Sequence, residues 1–193
     1  MSIFQSVASS AYQELTVDTD LFKDSMRHLA AAVSVITVGR GADRTGFTAT
    51  SVSSLAIDPP SVIVSLNRAS SSWPVLQRHG SFCVNMLAHD QRHVADSFSG
   101  RDGQKGAERY QGADWRELST GTMALVDALA VLDCELDDVI ERHSHAILIG
   151  RVRAVKLRRN AEPLIYWHGA YRQIRTLGVE VVTSCASGHD GSD

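Results

Sequence analysis

Gly46-Phe47-Thr48-Ala49-Thr50-Ser51-Val52-Ser53-Ser54-Leu55, then Asp58-Pro59-Pro60, then Val62-Ile63-Val64-Ser65-Leu66: this stretch decides the fold. The first run is rich in hydroxyl and β-branched side chains and reads as one strand. Asp58-Pro59-Pro60 ends it, because proline cannot serve a central ladder. The apolar run that follows is a buried strand. On the N-terminal side, Ala31-Ala32-Val33-Ser34-Val35-Ile36-Thr37-Val38 is a further strand, closed by a turn over Gly39-Arg40-Gly41-Ala42-Asp43-Arg44. Before it, Leu21, Phe22, Met26 and Leu29 recur at helical spacing, with Asp18, Thr19 or Asp20 as N-cap. Residues 1–17 read as a loosely ordered lead-in.

On the C-terminal side, Ser70-Ser71-Ser72-Trp73-Pro74-Val75-Leu76 reads as a capped short helix with proline near its first position. Phe82–Leu87 is a strand. Gln91–Phe98 is a short helix, and a long polar loop follows as far as Gly112. In Val131–Asp137, Leu132, Cys134 and Leu136 face one way while Asp133, Glu135 and Asp137 face the other. In Ala146–Leu157, Arg151 and Arg153 alternate with Val152 and Ala154, and Pro163–Trp167 is a last short strand. Residues 177–193 are expected to be a disordered tail. Many short strands, few helices and no strand–helix–strand alternation predict a mainly β chain, an antiparallel barrel in one domain over residues 18–176.

Composition agrees. The 193 residues carry 19 basic and 22 acidic side chains, 44% are hydrophobic and 21% charged. That is too apolar and too balanced for a disordered chain, and it offers no electrostatic footprint for nucleic acid or an anionic membrane. Cys83, Cys134 and Cys185 are odd in number and form no CxxC pair, against a disulfide framework or a cysteine zinc site. No secretory signal and no apolar run long enough to span a bilayer is visible, so the cytoplasm is the expected compartment.

Neither GxGxxG nor GxxxxGK[ST] occurs, so a nucleotide would not sit on a dinucleotide or P-loop element. The unusual feature is the hydroxyl cluster Thr48, Thr50, Ser51, Ser53 and Ser54. Short hydroxyls beside backbone N–H groups supply converging donors to a phosphate, although serine and threonine also line ordinary wet strands. A second cluster, Ser70, Ser71 and Ser72, lies across one apolar strand, and together they frame a dinucleotide or flavin cradle. His143 and His145 share a strand face, and His89 and His93 a helix face, but neither pair brings a third ligand, so no metal site is predicted. Cys83 and Cys134 read as core residues, and no nucleophile constellation occurs.

The order Phe22…Met26-Arg27-His28-Leu29, Val33-Ser34-Val35-Ile36-Thr37, Gly46–Leu55, Asp58-Pro59-Pro60, Phe82–Leu87, Phe98-Ser99, His145–Gly150 and Pro163–Tyr166 resembles the flavin reductase–like family. These are the short-chain NAD(P)H:flavin oxidoreductases that form the small component of two-component flavin monooxygenases. The resemblance runs from Leu21 to Ile174. It implies a Greek-key antiparallel, FMN-binding split β-barrel with a few short helices, assembled as a homodimer with flavin near the interface. It implies that Thr48, Ala49, Thr50, Ser51, Ser53 and Ser54 hold FMN or FAD. Asn67, Ser70, Ser71 and Ser72 would hold its other side, with Asn85 in the strand that backs it. The family's Gly-Asp-His stands here as His143-Ser144-His145. The histidine is kept at His145, expected beside the nicotinamide of NADH or NADPH, and the glycine and aspartate are not. The implied function is hydride transfer from nicotinamide to flavin, with reduced flavin passed to a separate monooxygenase. A flavin-binding electron carrier on the same barrel is the alternative. A pyridoxamine-phosphate-oxidase-like enzyme fits less well, because no Arg/Lys cluster accompanies residues 48–54.

Overall fold

The computed structural model describes residues 17–101 and 103–174. Apart from Val17, the expected lead-in and the expected tail lie outside the described residues. Asp18 caps helix α1 (Thr19–Arg27), its Oδ1 accepting from the N–H of Asp20 at 2.8 Å. The expected strand over 31–38 breaks at Val33 into β1 (Ala31–Ala32) and β2 (Ser34–Val38). Val33 donates to the carbonyl of Leu164 and accepts from the N–H of Leu87, so the chain changes partners there.

A 3-10 turn over Gly41–Asp43 leads into β3 (Thr45–Ala49), and β4 (Ser53–Ile57) follows. The single strand expected over 46–55 is thus two, with Thr50, Ser51 and Val52 as a corner between them. Then come β5 (Pro60–Asn67), α2 (Ser72–His79), β6 (Ser81–Met86) and α3 (Arg92–Phe98). The expected loop through Gly112 contains a 3-10 segment, Gly106–Tyr110. After it come β7 (Trp115–Glu117), β8 (Met123–Leu125), β9 (Ala130–Arg142), β10 (His145–Leu157), β11 (Leu164–Trp167) and β12 (Ala170–Gln173). Pro60 is the first residue of β5, a position where a missing N–H is tolerated.

Seven strands form one antiparallel sheet in the order β3-β2-β6-β9-β10-β5-β4. Its two edges, β3 and β4, are neighbours in sequence. Laid flat, seven strands would hold their outer edges roughly 29 Å apart, whereas the link from Ala49 to Ser53 spans at most about 14 Å. The sheet must therefore curl, and the corner Thr50–Val52 bridges the place where it fails to close. This is a split barrel, as expected.

The barrel is apolar on both faces. Ile36, Val38, Val64, Leu66, Phe82, Val84, Cys134 and Leu148 fill the interior, with Val75 and Leu76 of α2. Val33, Val35, Cys83, Leu87 and Val131 face outward, beneath Phe98, Tyr110, Ala124, Leu125 and Leu164. Cys83 and Cys134 are on neighbouring strands yet point into different cores, and both are free. Burial pushes the Cys134 thiol up to about 12 and that of Cys83 up as well. Asp133 faces away from the interior, as the alternation predicts, but it is not solvated: it is fully buried, with Oδ1 accepting from the Thr120 hydroxyl at 2.6 Å and Oδ2 from the Thr120 N–H at 2.8 Å.

Helix α1 buries none of its residues, and Leu21, Phe22, Met26 and Leu29 are all exposed. It is moored at its C-terminal end, where the N–H of His168 donates to the carbonyl of Arg27 at 3.0 Å and the rings of His28 and His168 meet edge-on, 4.3 Å apart. Among the described residues no helix is long and apolar enough to cross a membrane.

Candidate functional site: the seam of the barrel

The corner between β3 and β4 is surrounded by three depressions, and Thr50 borders all of them. The first, about 350 Å³, runs from Phe47–Ser51 to Ser65, Asn67, Ser70 and His145. The second, about 210 Å³, lies between Thr48–Thr50 and Ser99, Arg101, Tyr166 and Tyr171. The third, about 390 Å³, separates Thr50 and Ser51 from Phe22 and Met26 of α1 and from Leu29 just beyond it.

Local bonding fixes this wall. The Thr48 hydroxyl donates to the carbonyl of Ala95 at 2.7 Å and so ties β3 to α3. Ser51 Oγ donates to the carbonyl of Ser65 and accepts from its N–H, both at 3.2 Å, which extends the β4–β5 pairing and pins the corner to β5. Arg109 donates to the carbonyl of Gly46, and the phenol of Tyr110 to that of Thr45 at 2.6 Å. Gly46 is required here, because a Cβ would press on the ring of Phe98 at 2.8 Å. The opposite wall is the loop after β5. Asn67 Oδ1 accepts from the N–H of Ala69 at 2.9 Å, and Ser70 Oγ from that of Ser72 at 3.2 Å.

Several polar groups keep bonding capacity toward the groove. These are the Thr50 hydroxyl, the Ser70 O–H, the amide nitrogen of Asn67 and the ring of His145. His145 pairs with Asn67 across β10 and β5, and its Nδ1 lies 2.9 Å from Ser144 Oγ. Tyr166 and Tyr171 meet edge-on with ring centres 5.6 Å apart. Burial pushes the Tyr171 phenol up, with the carboxylate of Asp96 acting in the same direction.

The structure thus gathers Thr48, Ala49, Thr50, Ser51, Asn67, Ser70 and His145 around one groove. Ser53 and Ser54 lie instead on β4, all of whose residues are exposed, and Ser71 is exposed at the start of α2. Ser72 is fully buried. Asn85 needs correcting outright. It is fully buried, its Nδ2 donates to the carbonyl of Val35 at 3.0 Å and its Oδ1 accepts from the N–H of Leu125 at 2.7 Å, so it is a strut between β2, β6 and β8 with no face on the groove. Tyr171 and Arg101 escaped the sequence reading, because nothing in the sequence marks β12 as a strand or returns it to β3.

The groove fits a flat heterocycle. Its floor of Ala49, Ser51 and Ser65 is made of small side chains, which leave room for a ring, and its rim carries donors and an imidazole.

The "Flavin reductase like domain" family matches residues 26–175. The FMN reductase (NADH) RutF of Klebsiella pneumoniae subsp. pneumoniae is 37% identical over 161 residues, covering 83% of this chain and 96% of that protein. Nitrilotriacetate monooxygenase component B from Mycobacterium thermoresistibile superposes with a TM-score of 0.74 at 28% identity, over 81% of this chain and 86% of the other. BorF, the flavin reductase component of a bacterial two-component tryptophan halogenase, gives 0.75 at 28%, over 81% and 98%. A family match over residues 26–175, joined by relatives that cover more than four-fifths of this chain, leaves one conclusion: the protein belongs to the flavin reductase–like domain family.

Proposed function

We propose that this protein is an NADH:flavin oxidoreductase that reduces FMN in the seam groove and releases it to a separate flavin-dependent monooxygenase. The observation that carries this reading is the groove itself, with small residues on the floor, donors on the rim and His145 at one end. Its support is membership of the family, whose relative RutF is an NADH-dependent FMN reductase. When both ligands are bound, the nicotinamide supplies hydride and the flavin accepts it; the chain binds, orients and excludes water. Thr48 to Ser51 hold the flavin edge and phosphate through hydroxyls and backbone amides, Asn67 and Ser70 hold the opposite side, and His145 orients the nicotinamide. Reactants fixed in a near-attack arrangement gain several kcal/mol without an acid–base pair. That explains why the groove holds none.

The groove is open to solvent, which suits a flavin that must leave reduced. A homodimer would cover the apolar side chains of α1 beside the third depression, together with Leu55 and Ile57 on β4. Domain limits of 18–176 and a cytoplasmic site of action complete the proposal. NADH oxidation with free FMN in large excess tests it. Many turnovers per protein are expected; a single turnover would identify a flavin-binding carrier, and none at all would reject the assignment.

A further inference from the structure

We infer that Arg68 is a positioning residue that sets His145 in place by holding the turn between β9 and β10 from the end of β5. Arg142 pairs with His145 across that hairpin, so His143 and Ser144 are its two turn residues. His143 has φ +51°, the left-handed region that glycine enters freely and a residue with a Cβ enters at a cost. A turn under that strain needs outside support to keep one shape.

Arg68 supplies it at three points. Its N–H donates to the carbonyl of Ser144 at 2.9 Å. Its Nη1 donates to the carbonyl of His143, the strained residue, at 3.2 Å. Its Nη2 lies 2.7 Å from Glu141 Oε2 on β9. The planar fork of a guanidinium meets the carbonyl and the carboxylate at once, which a lysine ammonium cannot do. Ser144 then completes the line, since its hydroxyl is within hydrogen-bond distance of His145 Nδ1.

The Arg68–Glu141 pair is about two-fifths exposed on each side, so as an isolated ion pair it adds little to stability. Its effect lies in geometry: without the guanidinium the carbonyl of His143 and the carboxylate of Glu141 are released, the backbone bond to Ser144 alone remains, and the imidazole loses its fixed bearing on the groove. This inference rests on the reading of His145 as the residue beside the nicotinamide.

Steady-state kinetics on Arg68→Ala, Arg68→Lys, His145→Ala and the double variant test it, alongside FMN titration, thermal melts and the imidazole ¹⁵N resonances of His145. In Arg68→Ala, kcat/KM for NADH should fall about tenfold. FMN affinity should stay within about twofold and the His145 resonances should move, because the Arg68 guanidinium bonds the turn and Glu141 and none of the side chains that hold the flavin. Arg68→Lys should recover part of the loss. In the His145→Ala background, Arg68→Ala should cost nothing more. Unmoved resonances with normal NADH kinetics in a folded Arg68→Ala protein would overturn the inference. So would an equal loss in both backgrounds, which would make Arg68 a direct contact of a ligand. Full activity of His145→Ala would remove the reading of His145, and the role of Arg68 with it.

Discussion

Gly150 on β10 and Phe82 on β6 lie across β9 from one another, and a Cβ on Gly150 would overlap the Phe82 ring. The ring occupies the space that a side chain at 150 would take, in the middle of the barrel interior. The same Cβ would meet Cβ of Cys134 at 3.0 Å, so neither neighbour has room to retreat.

Gly150→Ala should therefore be severely destabilising, by about 3 kcal/mol or more, at the upper end for overpacked cores. Urea denaturation at neutral pH checks this. Gly150→Ala combined with Phe82→Leu should recover part of the loss, as expected for a clash confined to that pair.

Ser51→Ala removes both bonds between the corner and Ser65. Because the site is exposed, the stability cost should be modest, about 0.5–1 kcal/mol. FMN should bind about five- to thirty-fold more weakly, since the floor of the groove is no longer fixed. Fluorescence titration of FMN with a parallel melt separates the two effects. Unchanged affinity would take Ser51 out of the flavin wall.

At acid pH, two carboxylates report on the folded state. His79 first, then Arg78, holds the Asp43 carboxyl below its ordinary range, and Arg158 does the same for Asp90. A folded pKa below the unfolded one adds stability that is present above the unfolded value and is lost as pH falls through the folded value. These two residues should leave stability flat above about pH 5 and lower it below about pH 4. Asp43→Asn should be less stable at neutral pH and show a shallower acid decline, in melts taken from pH 3 to 7.

His143→Gly puts the residue best suited to positive φ at the left-handed turn position. Relief of the left-handed conformation is worth about 1–2 kcal/mol, and the added freedom of the unfolded chain takes back about 0.4–1 kcal/mol. A net gain of about 0.5 kcal/mol is expected, read as a small rise in Tm. A loss of stability would show that the His143 ring makes a contact that outweighs its backbone strain.

Much of the barrel was legible in the sequence because its strands are marked at both ends. Asp58-Pro59-Pro60 and Gly39–Arg44 interrupt the β-branched runs, and Asp18 announces α1. The corner at Thr50–Val52 was not legible. It contains neither glycine nor proline, and its residues favour extended backbone, so two strands looked like one. The outer half of β9 was hidden for a related reason. Asp137, Asp138, Glu141 and Arg142 are exposed on both sides of Val139 and Ile140, so the alternation that marks a half-buried strand is interrupted although Val139 still packs on the interior. Asn85 was misjudged because sequence shows that a polar side chain interrupts an apolar strand without showing which backbone groups wait for it. It is a buried acceptor for the N–H of Leu125 on β8, and Asp133, on the face that the alternation gives it, accepts from the N–H of Thr120 in the loop before β8. The groove was half visible: its serines and threonines stood out, while Arg101 and Tyr171 arrive from segments distant in the chain.

The failure of β3 and β4 to pair has a consequence for motion. Amides on unpaired strand edges exchange with solvent through small local openings, whereas those in the middle of the ladder wait for global unfolding. Deuterium uptake should be fastest along β3 and β4 and slowest along β6 and the first half of β9, Ala130–Glu135, which are flanked on both sides. A molecule lodged between the two edges would serve as a removable rung of the ladder. The empty protein would then breathe at this one place, loosening its hold on the cargo each time it opens, and a small rigid barrel could trade one flavin for the next without any hinge or moving domain.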